Sequence, residues 1–450
     1  MGAQLTVVEI SPRLSADEAA HVIQKHRVLV LVNLNGWTLH DRNDVFALQP
    51  SPVQARAPPP TLILLLRSLT QINQVGWLGY PASTGCRYMT HVLVDSLVAP
   101  PDHAAEFSES IVLLPPTFYV NDHMQYFRPE IRDAAAAAIA AGDSFLSPNV
   151  TRRVQHGLPP KGTVMANFNQ PYKMNSASAR AACLALASSA NTTWWASDGP
   201  AVYRAAVLAA CRRLGVSSSR ILFSPPVGII EFAERLGAAD VSPYIFIPNS
   251  VSPLCSHAAL SPSPLSPRQL FIDTVPLGAH TVAMDALALG TPIVAVAGTL
   301  YAHRVSSSIL AAAGAMYKRL VRNCTHSRAP GLSFLIARNT DDLYAAHAAA
   351  LFRTLTSARP RSALASRLLR NMPLLRLLKL QLLSRHSTVA APGVEALCLG
   401  RRVQPCPLLS ARAPLFEMWR AVHRMERALQ LMVDAHVNAP VDMHVIVAGQ

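Results

Sequence analysis

The stretch from Leu270 to Leu310, LFIDTVPLGAHTVAMDALALGTPIVAVAGTLYAHRVSSSIL, decides the fold class. It opens with a short apolar run that closes on Asp273 and reads as a strand entering a loop. The loop carries Pro276, Gly278 and His280, and a helical pattern follows over His280–Leu289. Gly290, Thr291 and Pro292 stop that helix, and the next strand covers Pro292–Val296. The unit is strand–helix–strand, which in a parallel sheet needs a right-handed crossover. The N–H groups at a helix N-terminus, with the Thr281 hydroxyl beside them, make a natural seat for phosphate. Asp285 lies four residues after Thr281 and so on the same face, where a carboxylate can accept hydrogen bonds from a ribose diol.

The same rhythm extends upstream. Strands are expected at Thr163–Phe168, Thr192–Ala196 and Arg220–Phe223, separated by helices at Ser176–Ser189 and Val202–Leu214, with a further helix at Ile230–Ala238. The first 135 residues repeat the pattern, with a helix at Ala16–His26, a buried strand within Arg27–Leu34, and strands at Met89–Asp95 and Ser110–Leu114. Ala134–Ala141 is nearly pure alanine and reads as helix. The polar, Pro- and Gly-containing Pro148–Gly162 reads as the linker between the two series. Two such α/β series with a cleft between them suit an enzyme acting on a nucleotide or a sugar nucleotide.

Composition bounds the alternatives. Of 450 residues, 50% are apolar and 15% charged, so the chain can bury sizeable cores and is not a disordered polymer. Its apolar runs, such as Thr61–Leu66, fall far short of the roughly 18–20 residues that cross a bilayer, and Met1–Arg13 has no basic-then-apolar leader pattern. Seven scattered cysteines without a CxxC argue against a disulfide framework or a zinc site and for a reducing compartment. The net charge of +14 is uneven: Arg353 to Arg427 carries 14 Lys and Arg against three Glu. The aromatic interleaving of a single-strand binder is absent there, so no nucleic-acid partner is expected.

Several blocks carry a resemblance. Beside Leu270–Leu310 stand Asn33–Pro50 (NLNGWTLHDRNDVFALQP), Trp77–Gly85 (WLGYPASTG), Leu114–His123 (LPPTFYVNDH), Asn167–Lys173 (NFNQPYK), Arg220–Pro225 (RILFSP) and Pro414–Phe416 (PLF). Together, and in this order, they resemble the catalytic region of the O-linked N-acetylglucosamine transferases, glycosyltransferase family 41. The resemblance implies an α/β fold of the GT-B class, two Rossmann-like lobes facing a cleft, here with a truncated N-terminal lobe. It implies inverting, metal-independent transfer of N-acetylglucosamine from UDP-GlcNAc to Ser and Thr hydroxyls of intracellular proteins, with no cofactor beyond the donor substrate. The compartment implied is cytoplasmic, nuclear or both.

The resemblance also assigns roles. Lys173 would be the catalytic residue, its ammonium meeting the charge that develops on the leaving UDP. Thr281 and the helix N-terminus would share that charge. Gln170 would hold the donor, Asp285 would take the ribose hydroxyls, and His280 would sit beside the diphosphate or uridine. Arg235 and the backbone at Val227 would flank the base. No metal ligand is implied.

The chain also departs from the family. Where the family carries a Lys and a His after the RILFSP block, this chain has Ile229 and Phe232, and the family's paired threonines are Thr281 and Val282. The family's upstream active-site His and its preceding tetratricopeptide repeats have no counterpart in the sequence. The expected organisation is a partial N-terminal lobe over 1–135, a linker over 136–162, a donor-binding lobe over 163–437 and a tail over 438–450. Insertions are expected at about 55–74, 241–269, 318–334 and 373–410. Two alternatives stay open: a catalytically inactive member or mispredicted fragment, and a Spindly-type protein O-fucosyltransferase using GDP-fucose.

Overall fold

The computed structural model describes residues 7–50, 73–121, 150–228, 231–232, 235–236, 268–288, 291, 293–324, 336–338, 418–438 and 445–446. The chain divides into two compact units, Met1–Tyr119 with Trp419–Gln450, and Val120–Met418.

The first unit opens with α1 (Ala16–Lys25). Ser15 and Glu18 close a capping box: Ser15 Oγ accepts from Glu18 N at 3.2 Å, and Glu18 Oε2 accepts from Ser15 N at 2.8 Å. The helix buries Ala19 and Ala20 with Val45 of α2 (Asn43–Ala47). Four strands follow in parallel and in sequence order, β1 (Val30–Asn33), β2 (Asn73–Trp77), β3 (His91–Val94) and β4 (Ser110–Leu113). Val75, Leu93, Val94 and Val112 form the buried centre of this sheet. β1 was expected to be buried, but among the described residues it lies at the edge of the sheet, with Val30–Val32 half-buried and Leu29 and Leu34 exposed. An apolar run alone does not say whether a strand has one neighbour or two. β2 begins at Asn73, inside the expected insertion at about 55–74. Gln74 is buried there, its Nε2 donating to the carbonyls of Phe46 at 3.0 Å and Tyr88 at 2.7 Å. The alanine run Ala134–Ala141 lies outside the described residues.

The second unit opens with α3 (Val150–Gln155), a helix inside the segment expected to be a linker. Its Arg153 is buried and donates to the carbonyls of Pro159 and Gly162, both at 3.3 Å. A single buried cation capping its own exit loop leaves no periodic apolar signal. Strands and helices then alternate: β5 (Thr163–Asn167), α4 (Ser176–Ala187), β6 (Thr192–Ser197), α5 (Ala201–Arg212), β7 (Ile221–Ser224), β8 (Arg268–Ile272), α6 (Thr281–Ala288), β9 (Ile293–Ala297), α7 (Tyr301–Cys324) and β10 (Ile336–Arg338). The sheet order is β10-β9-β8-β5-β6-β7, all pairs parallel. The chain winds outward from β5 through β7, then returns to β8 and winds the other way. The strand order therefore reverses between β5 and β8, the Rossmann arrangement whose ligand crevice lies beyond the C-terminal ends of those two strands.

Every residue of β5 is buried, as suits a strand with a neighbour on each side. Trp194, Trp195, Met165, Leu270 and Phe271 fill the core around it. β8 starts at Arg268, within the expected insertion at about 241–269, because Arg268 and Gln269 pair with Thr163 and Val164 of β5. α7 reaches Cys324 and so enters the expected insertion at 318–334. The segment 373–410 lies outside the described residues. α4 and α5 are joined by a disulfide between Cys183 and Cys211, both fully buried. The scattered cysteines argued against a disulfide framework, yet this pair is bonded: the partners are 28 residues apart on adjacent helices, a spacing that matches no local motif.

The C-terminal part rejoins the first unit. α8 (Met418–Asn438) buries Ala428 and Met432, and β11 (Val445–Ile446) pairs in parallel with β4, Val445 opposite Val112. From Trp419 on, the chain therefore groups with the first unit, where the sequence reading had a donor-binding lobe to 437 and a tail over 438–450. A two-residue strand is too short to show alternation in sequence. Among the described residues no helix is long and apolar enough to cross a membrane.

Candidate active site

The site is built on the loops that leave β5 and β8, on either side of the point where strand order reverses. After β5 the chain runs through Asn169 and Gln170 into a short 3-10 helix, Pro171–Lys173, whose last residue is the predicted catalytic lysine. Lys173 N donates to Gln170 O at 2.9 Å, which closes that turn. After β8 the chain runs from Asp273 through a cis Val275–Pro276 bond to His280 and enters α6. The His280 carbonyl receives the N–H groups of Ala283 at 3.0 Å and Met284 at 3.3 Å, which starts the helix.

Buried side chains stitch the two loops together. Asn167 Nδ2 donates to Ile272 O at 2.7 Å. Asn169 Nδ2 donates to Thr274 Oγ1 at 2.9 Å and to Asp273 Oδ1 at 3.3 Å. Ser178, in the first turn of α4, donates through Oγ to Val275 O and accepts from Val275 N, both at 2.8 Å. Lys173 Nζ donates to Gly278 O at 2.9 Å. The loop is closely packed at Gly278: a Cβ there would stand 3.1 Å from Asp273 Oδ2 and 3.3 Å from Ala302 O.

The electrostatics follow from burial. Desolvation holds the Lys173 ammonium below the usual lysine range, and the Asp273 carboxylate pushes it back up. Burial raises the Asp273 carboxyl, while Ser306, the N–H groups of Thr274 and Ala279, and Lys173 oppose the rise. His280 is pushed down to about 3, first by burial and then by the Lys173 charge, against a hydrogen bond to Ala302. It is therefore a neutral imidazole at neutral pH beside a cationic Lys173. The arrangement places one ammonium and one helix N-terminus at the same crevice, two devices that stabilise an anion.

The predicted residues fall into two groups. Lys173, His280 and Thr281 come together at the β5–β8 crevice, with Gln170 exposed at the entry to the 3-10 helix and Asp285 partly buried one turn into α6. Val227 and Arg235 follow β7, which lies two strands from β5, roughly 10 Å at ordinary strand spacing. Arg235 is buried and committed within its own loop, donating to Pro225 O at 2.7 Å and to Glu231 Oε1 at 2.8 Å. It holds the segment that carries Val227. Phe232, at the position of the family's His, packs edge-on against Phe168 with ring centres 5.9 Å apart, and Phe168 meets Trp195 in the same way at 5.0 Å. Ile229 lies outside the described residues. Asn167, Asn169, Ser178, Asp273 and Ser306 were not anticipated. The signal available was a pair of asparagines and an aspartate at the C-terminal ends of two predicted strands.

A Rossmann-ordered parallel sheet with a lysine and a helix N-terminus at its reversal point is a framework suited to binding a nucleotide phosphate. The model of glycosyl transferase family 41 matches residues 3–57, 66–144 and 131–251, more than half of the chain, and the chain belongs to that family. It is similar to the probable UDP-N-acetylglucosamine–peptide N-acetylglucosaminyltransferase SEC of Arabidopsis thaliana, 26% identical over 311 residues, covering 69% of this chain and 25% of that protein. It is also similar to the UDP-N-acetylglucosamine–peptide N-acetylglucosaminyltransferase of Caenorhabditis elegans, 31% identical over 121 residues, 27% of this chain and 9% of that one. A third relative, the probable transferase SPINDLY of Petunia hybrida, is 22% identical over 329 residues, 72% of this chain and 26% of that protein. The chain thus spans about a quarter of the length of SEC and SPINDLY. Among solved structures, a mutant of the O-GlcNAc transferase of Thermobaculum terrenum matches with a TM-score of 0.54 at 16% identity, over 93% of this chain and 57% of that one. That likeness shows the fold, the GT-B class with Rossmann-like lobes.

Proposed function

We propose that this chain is the catalytic portion of a protein O-glycosyltransferase that moves N-acetylglucosamine from UDP-GlcNAc to Ser and Thr hydroxyls, with inversion and without a metal ion. The observation that carries the reading is the meeting of Lys173 and the α6 N-terminus at the β5–β8 crevice. In the reaction the acceptor oxygen bonds to the anomeric carbon as the bond to the diphosphate breaks, and the hydroxyl proton is released. Negative charge grows on the leaving diphosphate. In this reading Lys173 and the N–H groups of the first turn of α6 receive it, and such preorganised donors gain strength in a site that excludes water. Neutral His280, whose one N–H goes to Ala302, adds no second cation there and leaves the diphosphate charge to Lys173. Asp285 takes the ribose diol, Gln170 holds the donor, and the Val227 backbone, steadied by Arg235, flanks the base. Protein acceptors and a sugar-nucleotide donor are the partners this reading requires.

The names of the relatives support this donor, since each is described as acting with UDP-N-acetylglucosamine on a peptide. The test is transfer of labelled sugar from UDP-GlcNAc to a Ser/Thr peptide, with Lys173→Ala as the control and chelator present throughout. Transfer abolished by chelator would refute metal independence. Tighter binding of GDP than of UDP would overturn the donor assignment in favour of a GDP-sugar.

A further inference from the structure

One peptide group, the link between Gly278 and Ala279, connects the lysine to a buried acid. Its carbonyl oxygen accepts from Lys173 Nζ at 2.9 Å, and its N–H, on Ala279, donates to Asp273 Oδ1 at 2.6 Å. Asp273 is 2% exposed and lies immediately beyond the end of β8. Its Oδ1 also receives Thr274 N at 2.7 Å and Asn169 Nδ2 at 3.3 Å, and its Oδ2 receives the Ser306 hydroxyl from α7. Three N–H donors and a hydroxyl converging on one carboxyl are the partners of an ionised acid. The preceding peptide is fixed as well, since Gly278 N donates to Ala302 O at 3.1 Å.

We propose that Asp273 is the positioning residue of this site: through the Gly278–Ala279 peptide it aims the carbonyl that anchors Lys173, and it supplies the buried countercharge that keeps that lysine an ammonium. The acid does not touch the donor. It polarises the peptide it binds, so that the carbonyl facing Lys173 carries more negative charge, and hydrogen bonds linked in this way strengthen one another. Countercharge is needed here because burial alone favours the neutral amine. Among the described residues, the titratable groups that act on Lys173 are Asp273, from the loop after β8, and His280, at the start of α6. His280 is neutral, which leaves Asp273 as the anion. The catalytic meaning of this arrangement rests on the reading of Lys173 as the group that meets the leaving diphosphate. The charge coupling itself does not.

The experiment reads the lysine directly. The chain has five lysines, Lys25, Lys161, Lys173, Lys318 and Lys379, so 13C-dimethylation gives few resonances, and Lys173→Arg assigns the one of interest. Its titration midpoint is compared in the native chain, Asp273→Asn and Ser306→Ala. The expected result is a fall of about one pH unit or more in Asp273→Asn and no fall in Ser306→Ala, which keeps the anion, with Lys25 and Lys161 unmoved. A Lys173 midpoint that stays put in Asp273→Asn, with a native near-UV circular dichroism spectrum, overturns the proposal. If Asp273→Asn does not fold, the 13C carboxyl resonance of Asp273 in the native chain decides: an ionised carboxylate over the pH range in which Lys173 titrates is expected, and a protonated carboxyl there overturns the proposal. Shifted titration in a chain that transfers no sugar would uphold the coupling while rejecting the transferase reading.

Discussion

The ammonium of Lys173 donates to the carbonyl of Gly278 at 2.9 Å, a bond between residues 105 apart in sequence that ties the loop after β5 to the loop after β8. Lys173→Ala removes both the tie and the charge proposed to meet the diphosphate. Transfer should fall by about 10²–10³ in kcat, the scale seen when one preorganised donor is removed, with a smaller change in donor KM. Single-turnover kinetics with labelled donor measure it, and an unchanged kcat would take Lys173 out of the chemistry.

Ser178 makes a reciprocal pair of bonds with the backbone of Val275, donating to its carbonyl and accepting from its N–H, both at 2.8 Å. The residue is 2% exposed, so Ser178→Ala leaves two buried backbone groups unsatisfied. The cost should be about 2 kcal/mol, seen as a lower urea midpoint with an unchanged slope. Donor affinity should weaken with it, because the loop bearing His280 loses its anchor on α4. A variant with wild-type stability would mean that another group takes over both bonds.

These two contacts also mark the limit of what the sequence tells. The alternation of strands and helices from Thr163 to Val296 is legible because each apolar run is long enough to show its period. The loop blocks NFNQPYK and LFIDTVPLGAHTVAMD place Lys173 and His280 at strand ends. Asp273 stands in the same block, but its role depends on a peptide bond whose two faces meet residues from different elements, and no spacing rule encodes that. Arg235 shows the opposite case. The resemblance puts it near the base, whereas the structure uses its guanidinium to hold Pro225 and Glu231. β11 and the Cys183–Cys211 pair were missed for a shared reason: each joins segments whose contact depends on tertiary packing.

The Cys183–Cys211 bond ties α4 to α5 across a loop of 28 residues. In the chain-entropy account a closed loop of that length stabilises by about 3–4 kcal/mol. Cys183→Ala with Cys211→Ala should lower the denaturation midpoint accordingly, and a dithiol reductant should lower the midpoint of the native chain while leaving the double variant unaffected. Intact-mass measurement of alkylated protein reports the bond directly. Equal midpoints with and without reductant, in a chain shown to be fully reduced, would remove the disulfide from the stability of this unit.

His280 links the site to pH. Its imidazole is held at about 3 in the folded chain, against an ordinary value of 6.5, by burial and by the charge on Lys173. Below pH 6.5 the unfolded chain takes up a proton that the folded chain refuses, so this group favours unfolding as pH falls towards 3. Above pH 6.5 both forms are neutral at this position and the effect vanishes. The slope is at most about 1.4 kcal/mol per pH unit, which amounts to about 2 kcal/mol between pH 7 and pH 5. Urea denaturation at the two pH values should therefore show the native chain losing about 2 kcal/mol more than His280→Gln, which has no proton to gain. Equal losses in the two proteins would mean that the ring protonates in the folded state. His280 would then be a second cation beside Lys173, not the neutral ring described above.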